Sequence, residues 1–399
     1  MEKIVKILLV LLLFAFPIGQ IGRVELGGGA NILLNDIVVC IVVAAWIIKK
    51  LWMKEVFATR ELTRPVLFFS LAALISLAIN NSKFSSTEIL VSFLYLLRWV
   101  VYAGLYFVAR DFPEKFQQKI LLGLIVAGTV TTLLGFFQYI LYPDLRNLYY
   151  AGWDEHLYRL FSTFLDPNFA GAIFVLTFIL AVSFLLRPRK QLTRFPFALS
   201  GVAVVLSFVG LLLTYSRGSF LSVLIAVLLL LFLKGKKKLI VVFMAVLVSG
   251  IILLPKHLQS EGVKLLRTVS IEARLESMQH ALMIFEKNPI VGVGFNTYRY
   301  SQFQEGFITR EEVRQSHAAA GVDNSFLFVL VTTGIVGFAF YLFLWYRIIK
   351  VSWGDWLVVT SIIAIFVHAL FVNSLFYPWV MEWLWILIGI SRVGSKAQK

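Results

Sequence analysis

Three arginines and two aspartates are the residues of a largely apolar chain whose kind and placement suit them to chemistry. Arg217 lies in Thr214-Tyr215-Ser216-Arg217-Gly218-Ser219 at the start of an apolar run, where a cation opposes the helix macrodipole. Ser216 is placed to cap that run, and Gly218 leaves room for a group to approach the backbone. Such an arginine either reaches out to lipid phosphates or marks a site for an anion. Arg159 precedes Phe164-Leu165-Asp166-Pro167-Asn168. There Asp166 can cap a helix and Pro167 can fill its first turn, whereas Arg159 has no such duty. Arg274, in Glu272-Ala273-Arg274-Leu275-Glu276, is either part of a solvated face with local ion pairs or a further cation for the same anion.

The proton chemistry on offer is narrower. Asp323 opens an apolar run in Val322-Asp323-Asn324-Ser325-Phe326, where a carboxylate can cap the helix and still act as a base. His317 is the nearest imidazole to that point, and as a loop histidine its default is solvent exposure. His156, His257 and His280 are scattered, and no set of His, Cys and carboxylates has the spacing of metal ligands, so no metal centre is expected. Gly27-Gly28-Gly29 lacks the lysine and flanking strand of a phosphate loop and reads as a flexible turn. Cys40 is the only cysteine and has no partner for a disulfide. Asp36, Arg98, His368 and Glu382 fall inside apolar runs and should face the bundle or an interface, because an unpaired charge towards lipid costs at least about a few kcal/mol.

Positioning these residues falls to a membrane-embedded frame. Of 399 residues, 59% are hydrophobic and only 15% charged, which excludes soluble, disordered and disulfide-built secreted chains. A spanning helix takes about 20 residues. Apolar runs supply twelve candidates, near 4–19, 31–48, 65–80, 89–109, 119–142, 169–186, 196–214, 217–233, 239–254, 323–346, 356–376 and 379–391. Asn373, Pro378 and Glu382 interrupt the last two, which could be re-entrant. The expected fold class is an all-α polytopic membrane protein of about 12 transmembrane helices, with 1–399 as a single membrane domain.

The net charge of +15 would suggest a nucleic-acid partner in a soluble protein; here its placement matters more, and no nucleic acid is needed. Lys49, Lys50, Lys54, Arg60 and Arg64, then Arg187, Arg189, Lys190 and Arg194, then Lys234, Lys236, Lys237 and Lys238 all fall on one side of the spans. The short loops of the other side hold Arg23, Lys83, Arg146, Arg159 and Arg217. This asymmetry puts both termini in the cytoplasm. The first span follows Lys3 and Lys6 as in a signal peptide, but no small-residue cleavage site follows Pro17, so it is expected to be retained.

Two outside segments, roughly 143–168 and 255–322, are too long to be turns. The second, an extracytoplasmic loop between the ninth and tenth spans, carries Leu275, Met278, Leu282 and Phe285 at helical spacing and is broken by Asn288-Pro289. It is expected to contain an interfacial helix, followed by a tight turn at Gly292 and Gly294.

Four stretches together resemble the O-antigen ligase and O-antigen polymerase family of bacterial integral-membrane glycosyltransferases. They are Arg159 to Ala170 (RLFSTFLDPNFA), Thr214 to Leu221 (TYSRGSFL), Arg274 to Phe295 (RLESMQHALMIFEKNPIVGVGF) and Asp323 to Gly337 (DNSFLFVLVTTGIVG). The resemblance covers roughly 155–345 by motif and the rest by topology. It implies a GT-C-like helical fold and transfer of a glycan from an undecaprenyl-diphosphate carrier to a hydroxyl acceptor, at the outer face of the cytoplasmic membrane. The acceptor would be another glycan or lipid A-core, and no metal or other cofactor is implied.

By the same resemblance, Arg217 and Arg274 are the leading diphosphate contacts, with Arg159 beside them and Asn324, Ser216 and Asn168 in support. Charge grows on the diphosphate as its glycosidic bond breaks, and paired guanidinium donors suit it. The acceptor hydroxyl needs a base, and inversion is expected. Many family members, ligases acting on lipid A-core in particular, have His-Asn where this chain has Asp323-Asn324. The base is therefore assigned to Asp323, with His317 as the substitute. Burial would raise the carboxyl and nearby arginines would lower it. Asp-Asn variants resemble polymerases of lipid-linked repeat units at least as well as ligases. A lipid-linked glycan transporter is the reading from another class; it would need its essential polar residues near the bilayer midplane.

Overall fold

Away from water a backbone must satisfy its N–H and C=O groups within itself, so apolar runs of this length become helices. The computed structural model describes residues 1–27, 30–55, 60–188, 194–255, 261–265, 268–315 and 321–391, and a helix occupies each of the twelve expected segments. These are α1 (Glu2–Ala15), α2 (Leu34–Trp52), α3 (Thr63–Ile79), α4 (Ser86–Arg110), α5 (Glu114–Leu141), α6 (Pro167–Leu185), α7 (Arg194–Leu213), α8 (Arg217–Leu233) and α9 (Lys237–Ile252). After α10 (Val269–Lys287), α11 (Tyr298–Gln304) and α12 (Arg310–Gln315) come α13 (Ser325–Ser352), α14 (Trp356–Ala369) and α15 (Pro378–Ile390).

Among the described residues six helices are long and apolar enough to cross a bilayer: α1 with its 3-10 continuation to Gly22, α4, α5, α6, α7 and α13. Four more, α3, α8, α14 and α15, are apolar but shorter. The protein is a helical, multi-pass membrane protein. Phe14, Ile75, Leu141, Val205, Val241 and Leu253 stand exposed on the outside of the bundle, the surface a hydrocarbon solvent requires.

The start signals behave as their chemistry dictates. Ser85 caps α4 in a reciprocal box with Glu88, and Asp166 and Ser216 cap α6 and α8 with Pro167 in the first turn of α6. The interior charges of the spans all turn inward. Arg98 pairs with Asp36 at 2.6 Å, Glu382 accepts a hydrogen bond from Asn35, and His368 lies fully buried.

Helix α15 is the centre of the molecule. Every residue from Pro378 to Ile390 is buried, and its main neighbour is α4. At 13 residues it is about 20 Å long, short of the roughly 30 Å hydrocarbon layer. Helix α14 ends at Ala369 rather than continuing to 376 as expected; Leu370 to Tyr377 leave the helix and contain a 3-10 turn, Ser374–Phe376.

The all-α class holds, with one small addition: Arg23–Gly27 and Ala30–Leu33 pair as an antiparallel hairpin, β1 and β2, with Arg23 opposite Leu33 and Glu25 opposite Asn31. The glycine run therefore has strands on both sides, while Gly28 and Gly29 lie outside the described residues. In α10 the buried positions are Ala281 and Ile284, with Leu275 53% and Leu282 44% exposed. The apolar face is thus split: Met278 and Phe285 join the core, and the two leucines point away from it. The long 255–322 segment also contains two helices, α11 and α12, that periodicity did not reveal.

Finally, α13 is broken at Gly334 (φ 64, ψ −173). The stretch from Pro289 to Gly294 threads into that break. Val293 and Gly294 N–H donate to the Val331 and Thr332 carbonyls, and Ile335 and Val336 N–H donate to those of Pro289 and Ile290. A Cβ on Gly334 would lie 2.2 Å from the Ile290 oxygen, and one on Gly292 2.5 Å from the Thr332 carbonyl carbon. From α3, Ser76 and Asn80 donate to the carbonyls of Val291 and Gly292. The tight turn expected at Gly292 is present, closed by the Gly292 N–H onto the Asn288 carbonyl at 3.0 Å, and it forms a seam that fixes the C-terminal end of α10 against α13.

Candidate active site

A cavity of about 730 Å³ collects residues that the sequence keeps far apart. Its walls come from the β1–β2 hairpin, α4, the segment before α6, α10, the start of α13 and the irregular stretch between α14 and α15. Arg159, Asn168, Arg274 and Asp323, all expected site residues, line it.

Arg159 is held by a folded connection rather than by a helix. Gln138 on α5 accepts from the Phe161 and Ser162 N–H groups at 2.9 and 3.0 Å, and Ser162 donates to the Thr131 carbonyl at 2.7 Å. Leu160 N–H donates to the Leu213 carbonyl at the end of α7, and Arg159 Nε donates to the Thr214 carbonyl at 2.9 Å. The arginine, 4% exposed, is thereby clamped onto the same turn that carries Ser216 and Arg217.

That turn is tied to α6 and α14 by a buried relay. Ser216 donates to Asn168 Oδ1 at 3.0 Å, Ser219 donates to Ser216 at 3.0 Å, and His368 Nε2 stands 3.1 Å from the Ser219 hydroxyl. His368 Nδ1 in turn meets Ser374 at 2.5 Å. A Cβ on Gly171 would lie 2.3 Å from the Ser219 hydroxyl, so α6 and α8 touch here because a glycine lets them. Gly218 does not play the part its position suggested: a Cβ there meets Phe371 at an ordinary 3.6 Å.

Arg217 and Arg274 separate in their roles. Arg274 lines the cavity, whereas Arg217 is not among the lining residues and donates from Nη1 to the Leu265 carbonyl at 3.2 Å. The two cations remain electrostatic neighbours. Asp323 also differs from its expected cap role. Asn324 is the cap of α13, accepting from Phe326 and Leu327 N–H at 2.9 and 3.0 Å, and Asp323 stands one residue outside the helix facing the cavity. His317 lies outside the described residues.

Burial raises the Asp323 carboxyl above its usual range, opposed by Arg274 and reinforced by Asp166. The same cause raises Asp166, against the Asn168 N–H and Arg159. A third carboxylate, Asp154, was not anticipated. Although its side chain opens into the cavity, the surrounding walls desolvate it, and Asp166 and Asp323 add repulsion, pushing it up to about 6 against the pull of Arg159. Three acids and two arginines thus share one end of the cavity.

Asp154, His156 and Asp166 each offer one ligand atom, all within 4.8 Å of one another. This is the grouping among the described residues that could hold a metal ion, and spacing did not expose it because Asp166 joins from beyond a folded loop. One oxygen of Asp166 is already committed to capping α6 through Asn168 and Phe169 N–H, which leaves the second for any ion.

Residues 202–342 match the family model described as O-antigen ligase. Over this segment the chain is similar to that O-antigen ligase family. It runs from within α7 into α13, contains Arg217, Arg274, Asp323 and Asn324, and supports a glycosyltransferase-type membrane role in O-antigen or polysaccharide assembly. No curated protein sequence matches the chain. Arg159 and Asn168 lie before the matched O-antigen ligase segment, yet they join its residues around one cavity.

The opposite end of that cavity was largely missed. Arg23, Arg98 and Arg299 line it with Tyr95, Trp153 and Tyr377. Arg23 could have been singled out by the reasoning applied to Arg217, since both oppose the charge bias of the loops. Arg299 carries no local pattern that marks it.

Proposed function

We propose that the protein is a polymerising glycosyltransferase, moving a glycan from an undecaprenyl-diphosphate carrier to the hydroxyl of a second lipid-linked repeat unit. The observation that carries this reading is one cavity shared by Asp323, Arg274 and Arg159, which come from three separate stretches of chain. Twelve crossings with both termini in the cytoplasm, one membrane domain and a cavity opening at the outer face of the bacterial cytoplasmic membrane complete the proposal.

In the reaction, Asp323 accepts the proton of the acceptor hydroxyl as its oxygen attacks the anomeric carbon from the face opposite the leaving group. Configuration inverts, and the bond to the carrier breaks with its electron pair passing to the diphosphate. Arg274 and Arg159 meet the growing charge with fixed donors, and Arg217 adds a cation one step behind Arg274. Burial raises the Asp323 carboxyl above an ordinary aspartate, which makes it the stronger base. Ser216 and Asn168 tie the turn that carries Arg217 to the start of α6, and Asn324 caps the helix that follows Asp323.

Transfer of a finished chain to lipid A-core or another acceptor is the second reading, favoured by the match to the O-antigen ligase model. Reconstitution with an undecaprenyl-diphosphate oligosaccharide, with and without an added acceptor, separates them. A ladder of lengthened carrier-linked glycans supports the polymerase, transfer only to the added acceptor supports the ligase, and no new linkage favours transport. A chelator is expected to leave turnover unchanged. Metal-dependent turnover would bring Asp154, His156 and Asp166 into the mechanism.

A further inference from the structure

The cavity is electrically two-ended. At one end Asp154, Asp166 and Asp323 surround Arg159 and Arg274. At the other, three guanidiniums converge: Arg23 from β1, Arg98 from α4 and Arg299 from α11. Tyr377 lies between them, stacked on Phe169 at 3.8 Å and sensing both Asp166 and Arg23.

Two carboxylates, Asp36 and Glu25, pair with guanidiniums at the arginine end. Asp36 is fully engaged, accepting from Arg98 at 2.6 Å, Tyr102 at 3.0 Å and Leu33 N–H at 3.0 Å. Glu25 pairs with Arg23 at 3.2 Å but its side chain is 64% exposed, so water competes for it. Among its contacts, Arg299 donates to the Val313 carbonyl at 3.2 Å. Burial lowers the affinity of both Arg23 and Arg299 for their protons, and the cations lower it further, Arg98 acting on Arg23 and Arg23 on Arg299. Like charges gathered in a desolvated wall are costly unless an anion joins them.

The aromatic neighbours say what kind of anion fits. Trp153 lies under Arg23 at 5.6 Å, and Tyr95 under Arg98 at 4.6 Å. A sugar ring has an apolar C–H face that lies flat on an aromatic, and an acidic sugar adds planar or tetrahedral oxygens for guanidinium forks. We propose that this end of the cavity is a subsite for an anionic sugar, one carrying a carboxylate or a phosphate, within the glycan that is transferred or extended. The inference rests on the glycan-transfer reading and adds a substrate class to it.

The test is binding of soluble probes to the full chain in detergent, which needs no turnover. Trigalacturonic acid is compared with its carboxyl-reduced trisaccharide, and galactose 6-phosphate with galactose. The wild type is expected to prefer the acidic member of at least one pair by about tenfold, and the pair that shows the preference names the group. Arg299→Gln and Arg23→Gln should reduce that ratio to within about twofold of unity, with Arg299→Lys intermediate. Equal binding of both members of both pairs overturns the subsite, as does a preference that survives both glutamine variants. Thermal unfolding checks each variant; should Arg299→Gln fail to fold, Arg23→Gln carries the comparison. A retained preference in a protein that transfers no glycan counts against the transferase reading alone, and transfer without preference counts against the subsite alone.

Discussion

The Ser216 hydroxyl at the start of α8 donates to the Asn168 side-chain carbonyl at the start of α6, across 3.0 Å. Ser216 also caps α8 by accepting from Ser219 N–H, so one oxygen joins two helix starts. Ser216→Ala removes both interactions, leaves Asn168 Oδ1 short of a buried donor, and is expected to lower stability by about 1–2 kcal/mol. Unfolding of the purified protein in detergent measures it; a shift indistinguishable from zero would mean that the relay does not hold the two helices together.

Two glycines should respond in opposite ways. Gly334→Ala places a Cβ 2.2 Å from a backbone oxygen at a left-handed position, and a loss of about 3 kcal/mol or more is expected. Gly218→Ala, inside a helix and in open contact at 3.6 Å, should be neutral or gain up to about 1 kcal/mol. Unfolding curves of the two variants side by side decide the matter, and equal losses would contradict the packing described.

Loss of paired phosphate geometry should be visible in Arg274→Lys, which keeps the charge. Its kcat/KM is expected to fall at least about tenfold, or about 1.4 kcal/mol of transition-state stabilisation. Arg217→Lys, set back from the cavity, should lose activity to a smaller extent. Asp323→Asn removes the base and should cost about 100-fold or more. Near-normal turnover in Arg274→Lys and Asp323→Asn would take both residues out of the chemistry.

Asp154 makes stability depend on pH in a stated direction. The folded protein holds this proton up to about pH 6, whereas an unfolded aspartate releases it near its ordinary value, so the native state binds more protons between the two. The contribution of Asp154 to stability therefore declines as pH rises through that interval and is level above it. Asp154→Asn should unfold at a higher temperature than wild type near neutral pH, and the difference should vanish in acid below the ordinary aspartate range. Thermal melts at both ends of that window check the sign.

The apolar frame was legible because hydrocarbon permits few alternatives: runs near 169–186 and 217–233 became α6 and α8 almost residue for residue. The caps at Asp166 and Ser216 were equally legible, since their partners lie within three positions. What escaped was whatever depends on distant partners. The cap of α13 fell to Asn324 rather than Asp323, two neighbours of similar propensity. The break at Gly334 exists only because Pro289 to Gly294 occupies it. Asp154 entered the site on a loop and Arg299 on the short helix α11, in stretches whose course no local pattern fixes. Arg159, Arg274 and Asp323 were each found singly, but their meeting in one cavity was tertiary information.

The seam between Pro289–Gly294 and the broken α13 also sets an order of assembly. Its hydrogen-bonding partners, Val331 to Val336, lie later in the chain than α10, so when α10 leaves the ribosome its dock does not yet exist. Arg274 cannot settle against the cavity until α13 has entered the bilayer beside α3. Synthesis therefore passes through a stage in which α1 to α10 have been made and the Arg274 side of the cavity is still open. A chain halted before α13 carries both Arg159 and Arg274 but lacks the helix against which the Pro289–Gly294 seam is built.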